Sequence, residues 1–306
     1  MKKALLFISL LAVTSLLQAQ NSEKELAQNT EKAVKTLADT ATIGWKTKGN
    51  FSLLFNQSNF SNWVAGGENN LSGNVSINYD FNYKKKDWTW DNKVLASYGL
   101  IQSKNAPYEK KTDDRFEFNS VLGKKAFGEW YYSFFLNFRT QFTKGYVYDK
   151  DPVTSVEFRT PYTNIFSPAY LTFGPGLFWK KNDNLKINLA PVTSKLTFVD
   201  AAFTLPNEEY FGVEQGNSMR YELGFYASAY YKLNIMTNIS AENTLNLYTN
   251  YLEDTQNVDV DYSLAIVMRV NKYLSTNVLF QAIYDDNAFR GLQTKEIFGL
   301  GVNFGF

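Results

Sequence analysis

NLSGNVSINYDFNY, residues 70–83, sets the period of the chain. Leu71, Gly73, Val75, Ile77, Tyr79, Phe81 and Tyr83 are apolar or glycine, and Ser72, Asn74, Ser76, Asn78, Asp80 and Asn82 between them are all polar. Side chains of an extended strand alternate between two faces, so this is a strand with one apolar and one polar side. NVDVDYSLAIVMRV, residues 257–270, repeats the pattern: Val258, Val260, Tyr262, Leu264, Ile266, Met268 and Val270 share a face. Neither stretch carries an apolar stripe at the 3.6-residue spacing of a helix.

The same test applied outward yields twelve strands, near residues 48–57, 70–83, 88–101, 114–123, 130–143, 169–179, 184–199, 218–232, 238–251, 257–270, 274–284 and 293–306. Each runs to about ten residues or more, whereas strands of soluble proteins cluster at about 5–6. Short connections (KKKD, KKAFGE, KKND, LNIMT, NKY) alternate with mostly longer ones, the longest being KGYVYDKDPVTSVEFRTPYTNIFSP at 144–168. Aromatics gather at both strand ends: Tyr83, Trp88, Trp90, Trp130, Tyr132, Trp179, Tyr231 and Tyr273 by the short turns, and Tyr98, Phe142, Tyr251 and Tyr284 by the longer loops. Amphipathic rings favour the headgroup level, so two belts mark a membrane crossing. The expected fold is all-β, an antiparallel up-and-down transmembrane β-barrel of twelve strands.

Ahead of the barrel, Lys2 and Lys3 precede an apolar run from Ala4 to Leu17, and Leu17-Gln18-Ala19 offers a small residue for cleavage. Residues 1–19 therefore read as a secretory signal peptide. Residues 20–44 form a polar segment rich in Ala, Glu and Lys, compatible with a short amphipathic helix or with a spacer that frays. The barrel occupies 45–306. With Phe298, Leu300, Val302, Phe304 and Phe306 on one face, the last strand carries Phe304 and Phe306 as an expected assembly signal for the outer-membrane machinery.

Composition narrows the chemistry. Of 306 residues, 31 are Lys or Arg and 30 Asp or Glu, a balance that lacks the electrostatic footprint of a nucleic-acid binder. The chain has no Cys and no His. This removes disulfides, thiolate or imidazole metal sites and His-assisted nucleophiles.

LLFNQSNFSNWVAGGENN (53–70), NYKKKDWTWDNKVLASYGL (82–100), KTDDRFEFNSVLGKKAFGEWYYSFFLNFRTQF (111–142), LAPVTSKLTFVD (189–200) and LSTNVLFQAIYDD (274–286) resemble a family of predicted outer-membrane β-barrels of Bacteroidetes-type bacteria. The resemblance runs from about Trp45 to Phe306. It implies fold and location in the outer membrane of a Gram-negative bacterium; the family lends no activity and no site residue.

The polar strand face is expected to line the lumen. It carries Asp80, Asp91, Lys93, Arg115, Glu117, Arg139, Lys186, Arg220, Glu222, Glu242, Asp259, Asp261, Arg269 and Lys295. Both signs occur about equally, which predicts weak ion preference, and charges so dense must be paired or hydrated. Arg115, Arg139, Arg220 and Arg269 are expected to reach toward Asp80, Glu117, Glu222 and Asp261. A twelve-stranded barrel is wider than the roughly 8-stranded barrels that side chains fill and narrower than the open porins of about 16–18 strands, so lumen contents decide conduction.

Glu208, Glu209, Glu214, Glu253, Asp254, Asp285 and Asp286 make the longer loops acidic. Asp285-Asp286-Asn287 lacks calcium-loop spacing and reads as a solvated turn. Gly299-Leu300-Gly301 lies inside a strand with no helix following, so it is not a phosphate loop. Asn62-Trp63 and Gly66-Gly67 read as a turn packed by an aromatic.

The leading expectation is a non-enzymatic, narrow, weakly selective channel for small solutes, without cofactor or metal. Its partners are outer-membrane lipid and the barrel-assembly machinery. A docking barrel with an occluded lumen, and a membrane-embedded hydrolase using carboxylates or a Ser-Lys pair, are the alternatives.

Overall fold

The computed structural model describes residues 43–61, 68–204, 210–271 and 273–305. The expected signal peptide, the polar segment as far as residue 42, Asn62-Trp63, Gly66-Gly67, Glu208, Glu209 and Phe306 lie outside the described residues. In chain order the strands are β1 (Gly44–Ser58), β2 (Asn70–Lys85), β3 (Trp88–Ser103), β4 (Lys110–Phe127), β5 (Trp130–Thr140), β6 (Gly145–Lys150) and β7 (Glu157–Thr163). They continue with β8 (Ala169–Asn182), β9 (Leu185–Phe198), β10 (Met219–Met236), β11 (Ile239–Asn250), β12 (Asp259–Arg269), β13 (Leu274–Asp285) and β14 (Phe289–Gly305). All but β6 and β7 form one closed antiparallel barrel in which each strand pairs with its chain neighbours and β1 pairs with β14. These are the twelve expected strands.

Closure answers the demand of hydrocarbon that no sheet edge stay open. Among the described residues no helix is long and apolar enough to cross a membrane. The seam shows how the register builds the lipid face. Leu53 of β1 pairs with Val302 of β14 on one side and Val75 of β2 on the other, and Val75 pairs onward with Tyr98 of β3. One row nearer the short turns, Phe304, Phe51 and Ile77 line up likewise. Phe298 and Leu300 of β14 are exposed, whereas Leu54, one residue off that face of β1, is only 3% exposed. Near the short turns Trp45 packs on Tyr83 and Trp90, with ring centroids 5.1 and 5.6 Å apart, and Tyr273 lies 6.0 Å from Phe304. Phe116 and Phe142 meet at 5.8 Å toward the opposite rim.

The alternation breaks once in a way that matters for the interior. Between Ala190 and Thr193, β9 carries one residue more than its partner β10, which spans the same interval from Tyr226 to Gly224. This is a β-bulge, and it exchanges the two faces of β9 beyond it. Lys186 and Asn188 face inward before the bulge, Thr193 and Lys195 after it. The bulge presses against β8: a Cβ on Gly174 would sit 2.3 Å from the Val192 carbonyl oxygen, and one on Gly176 2.4 Å from that of Leu189. Only glycine permits this approach. Gly174→Ala is expected to lower stability by about 1–3 kcal/mol, the usual cost of overpacking. Urea unfolding in lipid vesicles measures it; an unchanged midpoint would contradict the tight bulge.

Two readings of the connections change. The long segment 144–168 holds a hairpin, β6 with β7, running from Gly145 against Thr163 to Lys150 against Glu157. Its strands have 6 and 7 residues, too few for an alternation to stand out from loop sequence. The segment DDNAFRGLQ is mostly strand: β14 begins at Phe289, leaving only residues 286–288 as a turn. Gly299 and Gly301 lie within β14, where a Cβ on Gly301 would meet the Leu53 carbonyl oxygen at 2.4 Å.

Candidate functional site in the barrel lumen

Side chains that bond between strands not adjacent in the barrel do so through its interior, and such bonds locate the lumen. Near the short turns Asp91 of β3 accepts from Lys180 of β8 at 2.7 and 2.8 Å and from Lys186 of β9 at 2.7 Å. Asp91 also accepts from the Thr89 hydroxyl at 3.0 Å. Lys93 of β3 bridges to Asp80 of β2 at 3.4 Å and to Glu242 of β11 at 3.6 Å. In barrel order β3 and β11 face each other across the diameter. Glu242 also pairs with Lys232 and accepts from the Tyr230 hydroxyl at 3.2 Å. At the rim Lys46 reaches Asp183, in the β8–β9 turn, at 3.2 Å. Burial works against the Asp183 charge, but Lys180 and Lys186 outweigh it and hold its carboxyl below the usual aspartate range.

Deeper in, Arg115 and Glu117 pair along β4, and Glu117 accepts from Asn119 at 2.7 Å and Asn137 at 3.2 Å. Beside them Phe135 of β5 stacks on Tyr226 of β10 with centroids 4.5 Å apart and planes 9° from parallel. Ala190 and Tyr248 complete this buried group, with Val121 packed against it. The Tyr226 hydroxyl donates to Asn246 at 2.8 Å, so the ring is apolar on its faces and satisfied at its tip.

Toward the long loops Arg139 of β5 bonds Asp261 of β12 at 2.5 Å, and Asp261 accepts from Gln281 at 2.9 Å. Lys195 of β9 sits between Glu222 at 3.2 Å and Asp259 at 2.9 Å. Arg220 reaches Glu222 at 3.3 Å, Glu253 at 2.8 Å and Asn287 at 2.9 Å. Lys295 of β14 pairs with Asp113 of β4 at 2.8 Å.

The arginines therefore behave differently from expectation. Arg139 alone of the four spans the barrel to a carboxylate. Arg115 pairs with Glu117, two positions along its own strand and the nearest residue on the same face, and Arg220 is shared between Glu222, likewise two positions on, and Glu253 in the loop after β11. Arg269 ends exposed at the last position of β12. Lysines make most of the crossings, and Lys180, Lys195, Lys232 and Asp113 escaped sequence reading. Lys180 sits in KKND, which reads as a turn although β8 continues to Asn182. Lys195 would fall on the lipid face if the alternation of β9 ran unbroken; the bulge turns it inward.

The loop acids are not simply solvated. Asp285 is buried and caps its turn, accepting from the backbone N–H groups of Asn287 at 3.1 Å and Ala288 at 3.2 Å. Its carboxylate lies with those of Asp259 and Asp286 within 4.8 Å. The loop between β9 and β10 carries a small core of Val199, Tyr210 and Val213 with Phe203 and Phe211. Tyr210 donates its hydroxyl to the Tyr162 carbonyl, tying that loop to the end of β7. Burial raises the Tyr210 pKa well above the ordinary tyrosine value, so this donor stays protonated.

In sequence, residues 55–146 match a family described as a protein of unknown function, DUF3078. No curated protein matches the chain. Among solved structures, the translocator domain of autotransporter NalP from Neisseria meningitidis is similar at 9% identity and a TM-score of 0.41, over 94% of this chain and 97% of that one. The COG4313 outer membrane channel from Pseudomonas putida F1 is similar at 10% identity and a TM-score of 0.36, over 87% and 96% of the two chains. The outer membrane channel DcaP of Acinetobacter baumannii is similar at 10% identity and a TM-score of 0.29, over 86% and 96%. The chain is a closed twelve-stranded antiparallel barrel, with sequence similarity to DUF3078 proteins over residues 55–146.

Proposed function

We propose that the chain is a non-enzymatic outer-membrane barrel that conducts small polar solutes through a narrow lumen, obstructed in the conformation described. The observation that carries this reading is the Arg139–Asp261 bridge between β5 and β12. It is one of several pairs of opposite charge that line and cross the interior, so the passage is polar and near-neutral. Water and small solutes suit such a surface, and the mixture of signs supports weak ion preference. Short turns facing the periplasm and longer loops facing outward follow the usual orientation of such barrels, assembled by the outer-membrane machinery.

A second reading, a structural or docking barrel with a permanently closed lumen, is favoured by the Phe135–Tyr226 stack, because a dry aromatic contact resists hydration more than a salt bridge does. Planar-bilayer recordings separate the two. The intact protein is expected to give small, weakly selective steps. Arg139→Ala removes a cross-barrel strut and Phe135→Ala opens the aromatic contact, so both are expected to enlarge the steps. If both variants fold and stay electrically silent, the channel reading fails and the structural one stands.

A further inference from the structure

The β6–β7 hairpin encloses a cleft of about 430 Å³ against the outer wall of the barrel, within the size range of small-ligand sites. Its barrel side is Tyr98 and Leu100 of β3, whose register partners Val75 and Gly73 lie on the lipid face of β2. The cleft thus opens beside the lipid near the long-loop rim, outside the lumen. The opposite side is the hairpin itself, with Tyr146, Tyr148, Arg159 and Tyr162.

The cleft stands on a fixed base. Asp114 accepts from the backbone N–H groups of Phe142 at 2.7 Å and Thr143 at 3.1 Å, and from Lys111 at 2.6 Å. Lys111 in turn donates to the Thr143 carbonyl at 3.1 Å. Gly145 lets the hairpin start this close, since a Cβ there would sit 2.2 Å from the Thr163 hydroxyl. Arg159 is held by rings on two sides, its guanidinium 4.6 Å from the Tyr108 centroid and 4.2 Å from that of Tyr146. Among the described residues Arg159 and Lys144 have no carboxylate partner. Glu109 is the one acid lining the cleft, against Arg159, Lys144 and the Asp114-paired Lys111.

A guanidinium oriented between aromatic faces, a second unpaired cation and several tyrosine hydroxyls suit one kind of ligand. Arginine presents paired donors to phosphate oxygens, and tyrosine rings cover the C–H face of a sugar while their hydroxyls bond its edge. We propose that this cleft binds a phosphorylated sugar, presented by an outer-leaflet glycolipid or free in solution. The phosphate sits on Arg159 and Lys144, and the sugar ring lies between Tyr98 and Tyr146. The site is independent of the lumen, so it stands or falls apart from the conduction reading.

The test uses the folded full chain in detergent, freed of lipid and titrated with diphosphorylated lipid A under native mass spectrometry. A parallel arm uses free glucosamine 6-phosphate as competitor. One tight lipid adduct is expected. Dephosphorylated lipid A, Arg159→Ala with Lys144→Ala, and Tyr146→Ala should each weaken it at least tenfold, with heat-modifiable gel mobility unchanged. Arg159→Gln, closer in shape, serves if the double variant folds poorly. Competition by glucosamine 6-phosphate would assign recognition to the sugar phosphate alone; lipid A binding without competition would assign it to the membrane-anchored form. Failure of the folded wild type to bind either probe, or binding untouched by the Arg159 and Tyr146 substitutions, would overturn the site.

Discussion

Replacing Asp91 by Ala is expected to destabilise the barrel by about 3 kcal/mol, from the cost of breaking a buried pair on one side. The carboxylate is the shared partner of two ammonium groups, Lys180 and Lys186; its removal takes from Lys186 its carboxylate partner, leaves Lys180 with Asp183 at 3.2 Å, and orphans the Thr89 hydroxyl as well. The estimate sits at the low end of the range because the lysine side chains are 15% and 18% exposed and take up water once released. A triple variant, Asp91→Leu with Lys180→Met and Lys186→Met, should recover most of the loss, since an apolar set carries no desolvation penalty. Urea titrations in vesicles of fixed composition give both numbers. A single variant as stable as the parent would show that the cluster is already hydrated and bears no load.

Leu264→Arg tests the opposite face. Leu264 lies mid-strand in β12 beside Phe280, and an arginine at the bilayer midplane of a barrel costs about 2–4 kcal/mol. Ser263→Arg, one residue away, points into a lumen that already holds Asp261 and Gln281 and should cost clearly less. The comparison does not extend to every inward position. Asn74 is buried and donates to Asp113 at 3.2 Å, and Asn137 is bonded to Asn119 at 2.6 Å, so arginine at either breaks a buried hydrogen bond. Equal penalties at 263 and 264 would contradict the register of β12.

The regularity of the alternation explains why some lumen residues were legible in the sequence and others were not. Asp91, Lys93, Glu117, Glu242 and Asp261 stand on unbroken alternation, where one apolar neighbour fixes the direction of the next side chain. Lys195 stands beyond a bulge, where the same counting rule gives the wrong face. Partner choice was legible only for the arginines, whose expected set of acids includes Glu117, Glu222 and Asp261; which lysine meets Asp91 depends on strands joined through the interior and remote in the chain.

What the amino-acid sequence by itself determined is the period, the strand count and, as far as β13, the alternation of short and longer connections, because the period and the count are local consequences of side chains that must face an apolar or a polar side. The β1–β14 register at the seam, the inward turn of Lys195, the Phe135–Tyr226 stack and the hairpin cleft around Arg159 were decided only by the tertiary structure. Each depends on shear, bulges and contacts between segments far apart in sequence, and those are settled only when all strands share one barrel.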